Sequence, residues 1–548
     1  MWTNKFFGVL AAAVLSFSAE NPLLASESPA HDIVHESPWR QGNMEQVMAD
    51  AKREQKPMLV YWGAVWCPPC NELKAEVFSH PKFNDLIKPM IAVYLDGDQE
   101  QAQKWGEKLN IKGYPTVLLL GPQGDEWMRL TSSTDFRDFE KSLSSAVAAS
   151  GLVSEALTRA ESGKGTAGDW QLLAYNRWFE APALQLTPDG VIAKHALLIG
   201  AIPATLKIER ALLAAEGLAA VTSAVKAVET AKSGGAPGKT KAQDDDLKKL
   251  EAALTLVRPS VPAWLNAVLA DPGTVRSASG FLIYQSADLV SWLEPAQNDA
   301  HQKLEASILS AMKELSQQAT ISPGTRLWSI NPKVEFALFR IEPKGGLLNL
   351  PTELVTEVRA AAAQADHDAV SIYDRHAVIS DAADLLEKIG DVAAARDLLV
   401  RELKKTNTPW YYQSSLANLE KNANRKAEAL KWSSAARVSA RGRATRIQWI
   451  VSDLVMNSEL LMPTNKKDVT KFVKIVTIYY EAALTEVDGF SGRNNARAKK
   501  VIKGVTPWLS QKKVRAVISA AEKRCATLPQ GNDGCSEHFS AFKDARVL

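Results

Sequence analysis

In the stretch "YWGAVWCPPCNELKAEVF", residues 61–78, two cysteines stand at the point where a strand pattern changes to a helix pattern. Residues 57–64 form a continuous apolar run of the length of a buried strand. Leu73, Val77 and Phe78 then follow at helical spacing. Two cysteines separated by two prolines are compatible with a metal site, a structural disulfide or a redox pair.

The sequence around this stretch alternates between strand and helix patterns. A second apolar run, "MIAVYLDG" (90–97), predicts another buried strand, and "GYPTVLLLGPQGDEWMRLTS" (113–132) predicts a hairpin that turns at residues 122–124. Helical spacing is found at 43–55, 99–110 and 135–149. Together these patterns predict an α/β unit with a mixed sheet.

The length and charge of the chain are typical of a globular protein with several structural units. The 548 residues exceed one ordinary core and indicate several structural units. Hydrophobic residues make up 46% and charged residues 23%, as in ordinary globular proteins. The 65 basic and 62 acidic side chains nearly cancel, and the basic cluster at 437–446 lacks interleaved aromatic residues. We therefore expect no nucleic-acid partner.

The N-terminus has the pattern of a secretory signal peptide. Lys5 is followed by an apolar run from Phe6 to Phe17 and then by small and polar residues. This run is shorter than the roughly 20 residues that span a bilayer, and no later stretch is expected to reach that length. We therefore expect residues 1–25 to be a signal peptide and the exported chain to have no stable membrane span.

The four cysteines lie in two close pairs, Cys67 with Cys70 and Cys525 with Cys535, and both pairs can form disulfides in an oxidising compartment. The loop between Cys525 and Cys535 is rich in turn residues, so a disulfide there is geometrically easy and stabilises this end by roughly 3 kcal/mol. We favour a structural disulfide for this pair over a second redox centre. Nearby His538 is expected at the surface.

A strand followed by Trp66-Cys67-Pro68-Pro69-Cys70 at the start of a helix, with "GYPT" (113–116) before a later strand, resembles the thioredoxin family. Residues 36–150 resemble the branch of that family that contains the C-terminal periplasmic domain of the transmembrane thiol:disulfide interchange protein. The resemblance covers about a fifth of the chain. It implies a thioredoxin fold, thiol:disulfide oxidoreductase activity and a periplasmic location.

The resemblance implies that Cys67 is the nucleophile and Cys70 the resolving thiol. The physical chemistry agrees, because unpaired N–H groups and the helix dipole at a helix N-terminus stabilise the thiolate that attacks disulfides. Cys70, one turn into the helix, is close enough to attack the mixed disulfide and release the product. Pro68 and Pro69 suit the first helical turn, where their missing N–H groups have no intrahelical use.

The resemblance also assigns residues around the two cysteines. It implies that Pro115 is cis and that Trp66 and Tyr114 line the approach of a substrate strand. Two positions depart from the family pattern, since Tyr61 stands in place of a buried Asp and Lys74 in place of an acid. These exchanges favour the thiolate, whereas the missing proline N–H groups oppose it, so the direction of electron flow stays open.

Metal binding and a structural role are the alternatives for Cys67 and Cys70. A zinc site needs four ligands, yet no second CxxC or HxxxH motif lies within reach of this pair in the sequence, and of the eight histidines only His80 is near. A copper(I) site is chemically possible, although the chain lacks a methionine cluster. A disulfide closed within a CxxC ring is strained and a poor structural link. We therefore favour redox exchange and expect no cofactor.

From residue 151 onward strand patterns nearly vanish and alanine-rich amphipathic helices dominate. Residues 381–399 and 415–433 superpose at an offset of 34 residues, the tetratricopeptide period, which pairs Gly390 with Asn424. This part therefore resembles the tetratricopeptide family over two units. Stacked helical hairpins form a groove for peptides or partner proteins, and a platform that only holds the redox domain is the alternative.

The predicted fold is a multidomain chain with an α/β thioredoxin fold followed by a large all-α region. The predicted function is disulfide exchange with cysteine-containing protein substrates through Cys67 and Cys70, which a redox partner resets, with reduction or isomerisation preferred over oxidation. The alternative is a helical scaffold or chaperone that uses the thioredoxin-like domain to bind clients. The predicted segments are a signal peptide (1–25), a thioredoxin-like redox domain (36–150), an α-helical region (151–345) and an α-helical repeat-like region with a C-terminal disulfide loop (346–548).

Overall fold

The computed structural model describes residues 33–545 except 37, 112, 131–134, 150–151, 182–183, 234–240, 342–349, 487–488 and 529–532. Within this part of the chain an α/β domain is followed by a large all-helical region, as the sequence predicts. The predicted signal peptide, residues 1–25, lies outside the described residues, so it stays a prediction. The predicted boundaries between the helical segments also stay predictions.

A five-stranded mixed sheet forms the centre of the α/β domain. Its strands are Arg40–Gln41 (β1), Met58–Gly63 (β2), Ile91–Asp96 (β3), Thr116–Leu120 (β4) and Glu126–Leu130 (β5). In the sheet order β1-β3-β2-β4-β5, the central β2 runs parallel to β3 and antiparallel to β4. Every residue of β2 is buried, because helices cover both faces of the sheet. The hairpin of β4 and β5 confirms the predicted turn near residues 122–124.

The helices of the α/β domain confirm the four predicted from helical spacing, including the one that begins at the cysteine motif, and add one short helix, Phe83–Ile87. They are Met44–Glu54 (α1), Pro68–Leu73 (α2), Phe83–Ile87 (α3), Glu100–Lys108 (α4) and Phe136–Ala149 (α5). Helix α2 continues into a π-helical turn at Lys74–Phe78, and a 3-10 turn at Ile33–His35 precedes β1. The cysteine motif therefore lies directly after the central strand.

The rest of the described chain is helical. Its α-helices are Val153–Glu161 (α6), Ala167–Tyr175 (α7), Pro188–Ala201 (α8), Lys207–Ser233 (α9), Lys241–Val257 (α10), Val261–Leu269 (α11), Pro272–Ser277 (α12), Ser279–Tyr284 (α13), Ser286–Leu293 (α14), Asp299–Ser316 (α15), Pro323–Trp328 (α16), Asn331–Phe339 (α17), Thr352–Asp368 (α18), Ile372–Lys388 (α19), Val392–Glu402 (α20), Pro409–Asn422 (α21), Lys426–Ser439 (α22), Arg443–Leu460 (α23), Lys466–Ala483 (α24), Gly492–Val505 (α25), Lys512–Cys525 (α26) and Asp533–Ala545 (α27). Short 3-10 turns occur at Trp178–Glu180, Arg258–Ser260 and Thr506–Trp508.

Helix α9 is the longest apolar helix in the part of the chain that the structure describes. Its length and composition would allow it to cross a membrane, contrary to the expectation that no later stretch reaches that length. However, 67% of its most apolar window is buried inside the protein. Apolar residues spread around the whole helix are typical of a central core helix as well as of a membrane span.

The hydrophobic interior is divided into separate cores. The largest joins the α/β domain to the helical region and includes residues from Val34 to Leu419. A second core, the C-terminal core, extends from Ile447 to Phe542. A third core lies within the α/β domain, where the sheet packs against α1 and α4. A smaller cluster contains Cys67 and Cys70 together with residues of the helical region, so the cysteine motif lies where the α/β domain meets that region.

The segment with the 34-residue offset forms two helical hairpins, since α19 packs on α20 and α21 packs on α22. Gly390 and Asn424, which the offset pairs, stand at the turns of the two hairpins with φ values of 83° and 58°. Glycine and asparagine are the residues that adopt this left-handed conformation most readily. The local geometry fits a repeated unit, and the tetratricopeptide assignment stays a prediction.

The C-terminal cysteines form a disulfide, with the Cα atoms of Cys525 and Cys535 6.1 Å apart. It links the end of α26 to the start of α27. The expected surface position of His538 is wrong, because α27 turns this side chain into the C-terminal core, where it is 4% exposed. Its Nε2 lies 3.2 Å from the hydroxyl oxygen of Tyr480.

Candidate redox site

Cys67 lies at the N-terminus of α2, just after the central strand. Its backbone is extended (φ −83°, ψ 115°), and Pro68 and Pro69 occupy the first helical positions. The N–H of Cys70 donates a hydrogen bond to Cys67 Sγ at 3.3 Å. The predicted strand-turn-helix geometry is therefore present, and it directs a backbone donor at the first sulfur.

Asn71 holds the loop that carries Cys67, and the sequence analysis did not identify it. Its Nδ2 donates to the carbonyl oxygens of Val65 at 3.1 Å and Cys67 at 3.0 Å. Asn71 is buried. A polar side chain on the inward face of a short helix beside the cysteines was the available signal, since a buried amide needs such partners.

Both thiols are buried and are not joined to each other, and Cys67 is only 3% exposed. Burial raises the pKa of the Cys67 thiol, because the thiolate loses its hydration. Burial also acts to raise the pKa of Cys70, but hydrogen bonds from the Cys67 thiol and the Ala64 backbone outweigh it and lower that pKa. The role of Cys67 as the nucleophile stays a prediction.

The two departures from the family pattern, Lys74 and Tyr61, both lie against the thiols. Lys74 is fully buried, and its charge acts to lower the pKa of both cysteines. Its Nζ lies 5.6 Å from the ring centroid of Tyr373 in α19 of the helical region. Burial raises the pKa of Tyr61, so this residue is a neutral phenol. A buried cation and a phenol thus stand where the family pattern has acids.

The residues predicted to bind substrate surround Cys67. The Tyr114-Pro115 peptide is cis, as the resemblance implies. The rings of Trp66 and Tyr114 make an edge contact with centroids 5.4 Å apart. Gly97 is required beneath Tyr114, because a Cβ at this position would lie 2.2 Å from the tyrosine hydroxyl oxygen. The structure therefore brings Trp66, Tyr114 and Pro115 together, and their roles stay predictions.

The helical region covers this face of the redox domain. Trp66 Nε1 donates to Asp98 Oδ2 and to Thr445 Oγ1, both at 3.0 Å. The Thr445 hydroxyl in turn donates to Asp98 Oδ1. Trp449, one turn further along α23, meets the edge of the Trp66 ring at a centroid distance of 6.4 Å. The predicted substrate-facing tryptophan is therefore in contact with the chain's own C-terminal part.

Trp410 and Trp449 pack against the two cysteines. They share one hydrophobic cluster with Cys67, Cys70 and Ala436, and they are only 4% and 5% exposed. No sequence pattern predicted these helical residues at the site. Nothing in local periodicity signals a contact between segments separated by more than 300 positions.

The outer face of α2 and the π-helical turn borders an acid-lined cavity of about 770 Å³ between the redox domain and the helical region. Ser322 Oγ donates to Glu72 Oε1 at 3.1 Å there. Burial, with Glu72 and Asp374 nearby, raises the pKa of Glu76 to about 7. Burial, with Asp384 and Glu72 nearby, raises the pKa of Asp381 to about 8. Helix α2 and the turn after it therefore carry or lie beside carboxyl groups, those of Glu76 and Asp381, whose raised pKa values make their charge depend on pH.

Among residues 33–545, outside the gaps given above, no group of three or more His, Cys, Asp or Glu side chains is arranged to hold a metal ion. Cys67 and Cys70 supply only two sulfur ligands, whereas a structural zinc site uses four. The arrangement at the end of β2 is suited to the chemistry of the sulfurs themselves. A thiol at a helix N-terminus with a second thiol one turn away can form and resolve a mixed disulfide.

Comparison with known proteins agrees with this geometry. The family model of a thioredoxin-like domain matches residues 44–146. Over 89 residues the chain is 27% identical to the thiol:disulfide interchange protein DsbD 1 of Pseudomonas aeruginosa. This match covers 16% of our chain and 15% of that protein. A thioredoxin from Thermus thermophilus, known from a solution structure, is 23% identical; the match covers 21% of this chain and 90% of that one, with a TM-score of 0.19. The match to the family model shows that the α/β domain is thioredoxin-like. The chain spans only about 15% of the length of the interchange protein.

Proposed function

We propose that the chain is a thiol:disulfide oxidoreductase that exchanges disulfides with cysteine-containing protein substrates through Cys67 and Cys70. The observation that carries this proposal is the position of Cys67 at the start of α2, with the N–H of Cys70 3.3 Å from its sulfur. The similarity of residues 44–146 to thioredoxin-like domains supports it. So does the low-identity similarity to a thiol:disulfide interchange protein.

Exchange requires four sulfur atoms and moves two electrons. The Cys67 thiolate attacks one sulfur of a substrate disulfide, which breaks that bond, forms a mixed disulfide and releases a substrate thiolate. Cys70, after losing its proton, attacks Cys67 and releases the second substrate thiolate. The two substrate thiolates take up protons, so the substrate is reduced to a dithiol while Cys67 and Cys70 become a disulfide. The reverse sequence oxidises a substrate dithiol.

Reduction or isomerisation is the direction that we propose. A dithiol partner must then return two electrons to the Cys67–Cys70 disulfide after each reduction. We also propose that the protein is exported and acts in the periplasm. This location rests on the signal-peptide pattern of residues 1–25 and on the resemblance of residues 36–150 to a periplasmic branch of the thioredoxin family.

A scaffold or chaperone function is the alternative, and one observation favours it. Cys67 is 3% exposed beneath the helical region, whereas a thiol that turns over must meet a substrate disulfide. In this alternative the helical hairpins bind client proteins and the cysteines are not needed. The two functions make opposite predictions about the cysteines.

Trapping of mixed disulfides distinguishes the two functions. The Cys70→Ser variant lacks the resolving thiol, so incubation of the reduced protein with insulin, a protein with accessible disulfides, should accumulate a covalent adduct at Cys67. The adduct should disappear on addition of dithiothreitol and should be absent from the Cys67→Ser/Cys70→Ser variant. Absence of an adduct, together with unchanged client binding in all variants, would favour the scaffold.

A further inference from the structure

Cys67 must meet a substrate disulfide in order to react, yet its sulfur is buried. In-line attack on a disulfide requires the attacked sulfur to lie close to Cys67 Sγ along the axis of the breaking bond. Cys67 is 3% exposed and is surrounded by Trp66, Trp410 and Trp449. A protein disulfide therefore has no path to the sulfur in this arrangement.

The helical residues over Cys67, here called the cover, include Ala436, Thr445 and Trp449. A small set of polar contacts holds the cover against the α/β domain. Asp98 accepts from Trp66 at one carboxylate oxygen and from Thr445 at the other, and Thr445 also accepts from Trp66. Hydrogen bonds to a carboxylate are stronger than those between neutral groups. These three side chains form a closed triangle between the motif tryptophan and the start of α23, which we call the latch.

Backbone geometry at Gly442 fits the latch closely. Gly442 has φ of 85°, a conformation that glycine adopts without cost. A Cβ at this position would lie 2.8 Å from Cβ of Asp98. The turn between α22 and α23 thus approaches the redox domain at a distance that only glycine permits. The same turn brings Thr445 to Asp98.

The cover is not part of the largest hydrophobic core. Ile447, Ile450 and Leu454 of α23 belong to the C-terminal core, whereas the α/β domain contributes to the largest core. Trp449 is in neither, because it packs in the small cluster with Cys67. Trp449 and Ala436 also line a cavity of about 460 Å³. Displacement of α23 would uncover the side of Cys67 that Trp449 closes without removing a residue of the largest core.

We infer that residues 436–449 form a lid that closes the redox site, and that release of the Asp98–Thr445–Trp66 latch must precede disulfide exchange. This inference rests on the proposed function, because it assigns a regulatory step to the same two cysteines. The lid excludes protein disulfides while closed. Burial raises the pKa of Cys67, so the closed site favours the less reactive, protonated form of this thiol.

The rate at which Cys67 reacts with alkylating agents measures the opening of the lid directly. The full chain is reduced, freed of reductant and treated with iodoacetamide or with a bulky polyethylene glycol maleimide, and Cys67 is followed by peptide mass. We expect slow labelling in the wild type, slowest with the bulky reagent. Thr445→Val removes the latch hydroxyl at nearly constant volume and should accelerate labelling roughly fivefold or more. Gly442→Ala should act in the same direction.

Two controls separate the latch from general destabilisation. Thr445→Ser keeps the hydroxyl and should label at the wild-type rate. Thr477→Val removes a hydroxyl that donates only to the carbonyl of Val473 in α24, and it should leave the labelling rate unchanged. Urea unfolding of every variant gives the folded fraction for which the labelling rates are corrected.

The outcomes separate the lid from the proposed function. Wild-type labelling as fast as in the urea-unfolded chain would overturn the lid, as would equal rates in the wild type, Thr445→Val and Gly442→Ala. Faster labelling of both variants without any reduction of insulin disulfides would support the lid and contradict the proposed function. Faster labelling together with faster insulin reduction would support both.

Discussion

Trp66 and Thr445 are joined by a hydrogen bond of 3.0 Å between Nε1 and Oγ1, although 379 positions separate them in the sequence. Trp66 directly precedes Cys67 in the redox motif, whereas Thr445 belongs to a helix of the all-helical region. The site is therefore assembled from both parts of the chain. Its reactivity should depend on residues of the helical region as well as on the cysteine motif.

Lys74 should hold down the pKa of the two thiols. Lys74→Met keeps most of the side-chain volume and removes the buried charge that acts to lower the pKa of both cysteines. We expect the pH midpoint of alkylation to rise by about one pH unit. Because the thiolate form becomes less stable, the couple should also become more reducing. Alkylation rates across pH measure the shift.

The matched control for this prediction is Lys474→Met, which removes an exposed charge on α24. It should leave the alkylation profile unchanged. An unchanged profile in Lys74→Met as well would contradict the assigned effect of the buried ammonium.

Gly97 should be needed for the position of Tyr114. Gly97→Ala puts a Cβ 2.2 Å from the tyrosine hydroxyl oxygen, so the ring must move. We expect the free energy of unfolding to fall by about 1–3 kcal/mol in urea titrations. Gly113→Ala is the control, because a Cβ there meets nothing within 4 Å. Equal losses in the two variants would show that the close approach is not the cause.

Asp381 should make stability depend on pH. Burial, with Asp384 and Glu72 nearby, raises its pKa from 3.8 to about 8. Between about pH 4 and pH 8 the unfolded chain releases a proton that the folded chain keeps, so stability falls as the pH rises through this window. Asp381→Asn should remove this loss and be more stable than the wild type by about 2 kcal/mol or more at pH 8.

Urea titrations at low and high pH test this prediction, with Asp246→Asn as an exposed control. The difference between Asp381→Asn and the wild type should be small near pH 4. A difference that stays constant across pH would assign the effect to packing and not to ionisation.

The disulfide of Cys525 and Cys535 should be structural. The Cys525→Ala/Cys535→Ala variant should lose about 3 kcal/mol of stability, as expected for a loop of this length. The rate at which this variant reduces insulin, divided by the folded fraction, should equal that of the wild type. Lost turnover with unchanged stability would instead indicate a second redox centre.

Local patterns in the sequence predicted the elements of the redox domain well. The apolar run before Cys67 and the alternation around residues 122–124 determine strands through burial and turn chemistry, which neighbouring residues encode. Strand β1, with two residues, is too short to leave a pattern. Helical spacing likewise predicted the all-α region, because amphipathic faces are visible along the chain.

The cover over the site had no such local signal. Thr445 and Trp449 look like ordinary residues of an amphipathic helix, and only tertiary packing brings them to Trp66. His538 shows the same limit, because its burial depends on how α27 packs against Tyr480. Asn71 differs from these residues, because its place on the inward face of the helix beside the cysteines was a local signal.

Equilibration of the full chain across glutathione redox buffers, followed by alkylation and peptide mass, shows whether Cys67 and Cys70 are a redox pair. We expect a reversible transition of the two residues between dithiol and disulfide, within the range of about −270 to −120 mV spanned by thiol:disulfide oxidoreductases. The Cys525–Cys535 disulfide should stay oxidised throughout this range. If Cys67 and Cys70 never form a disulfide, or never become reduced in any buffer, the protein does not exchange disulfides through them.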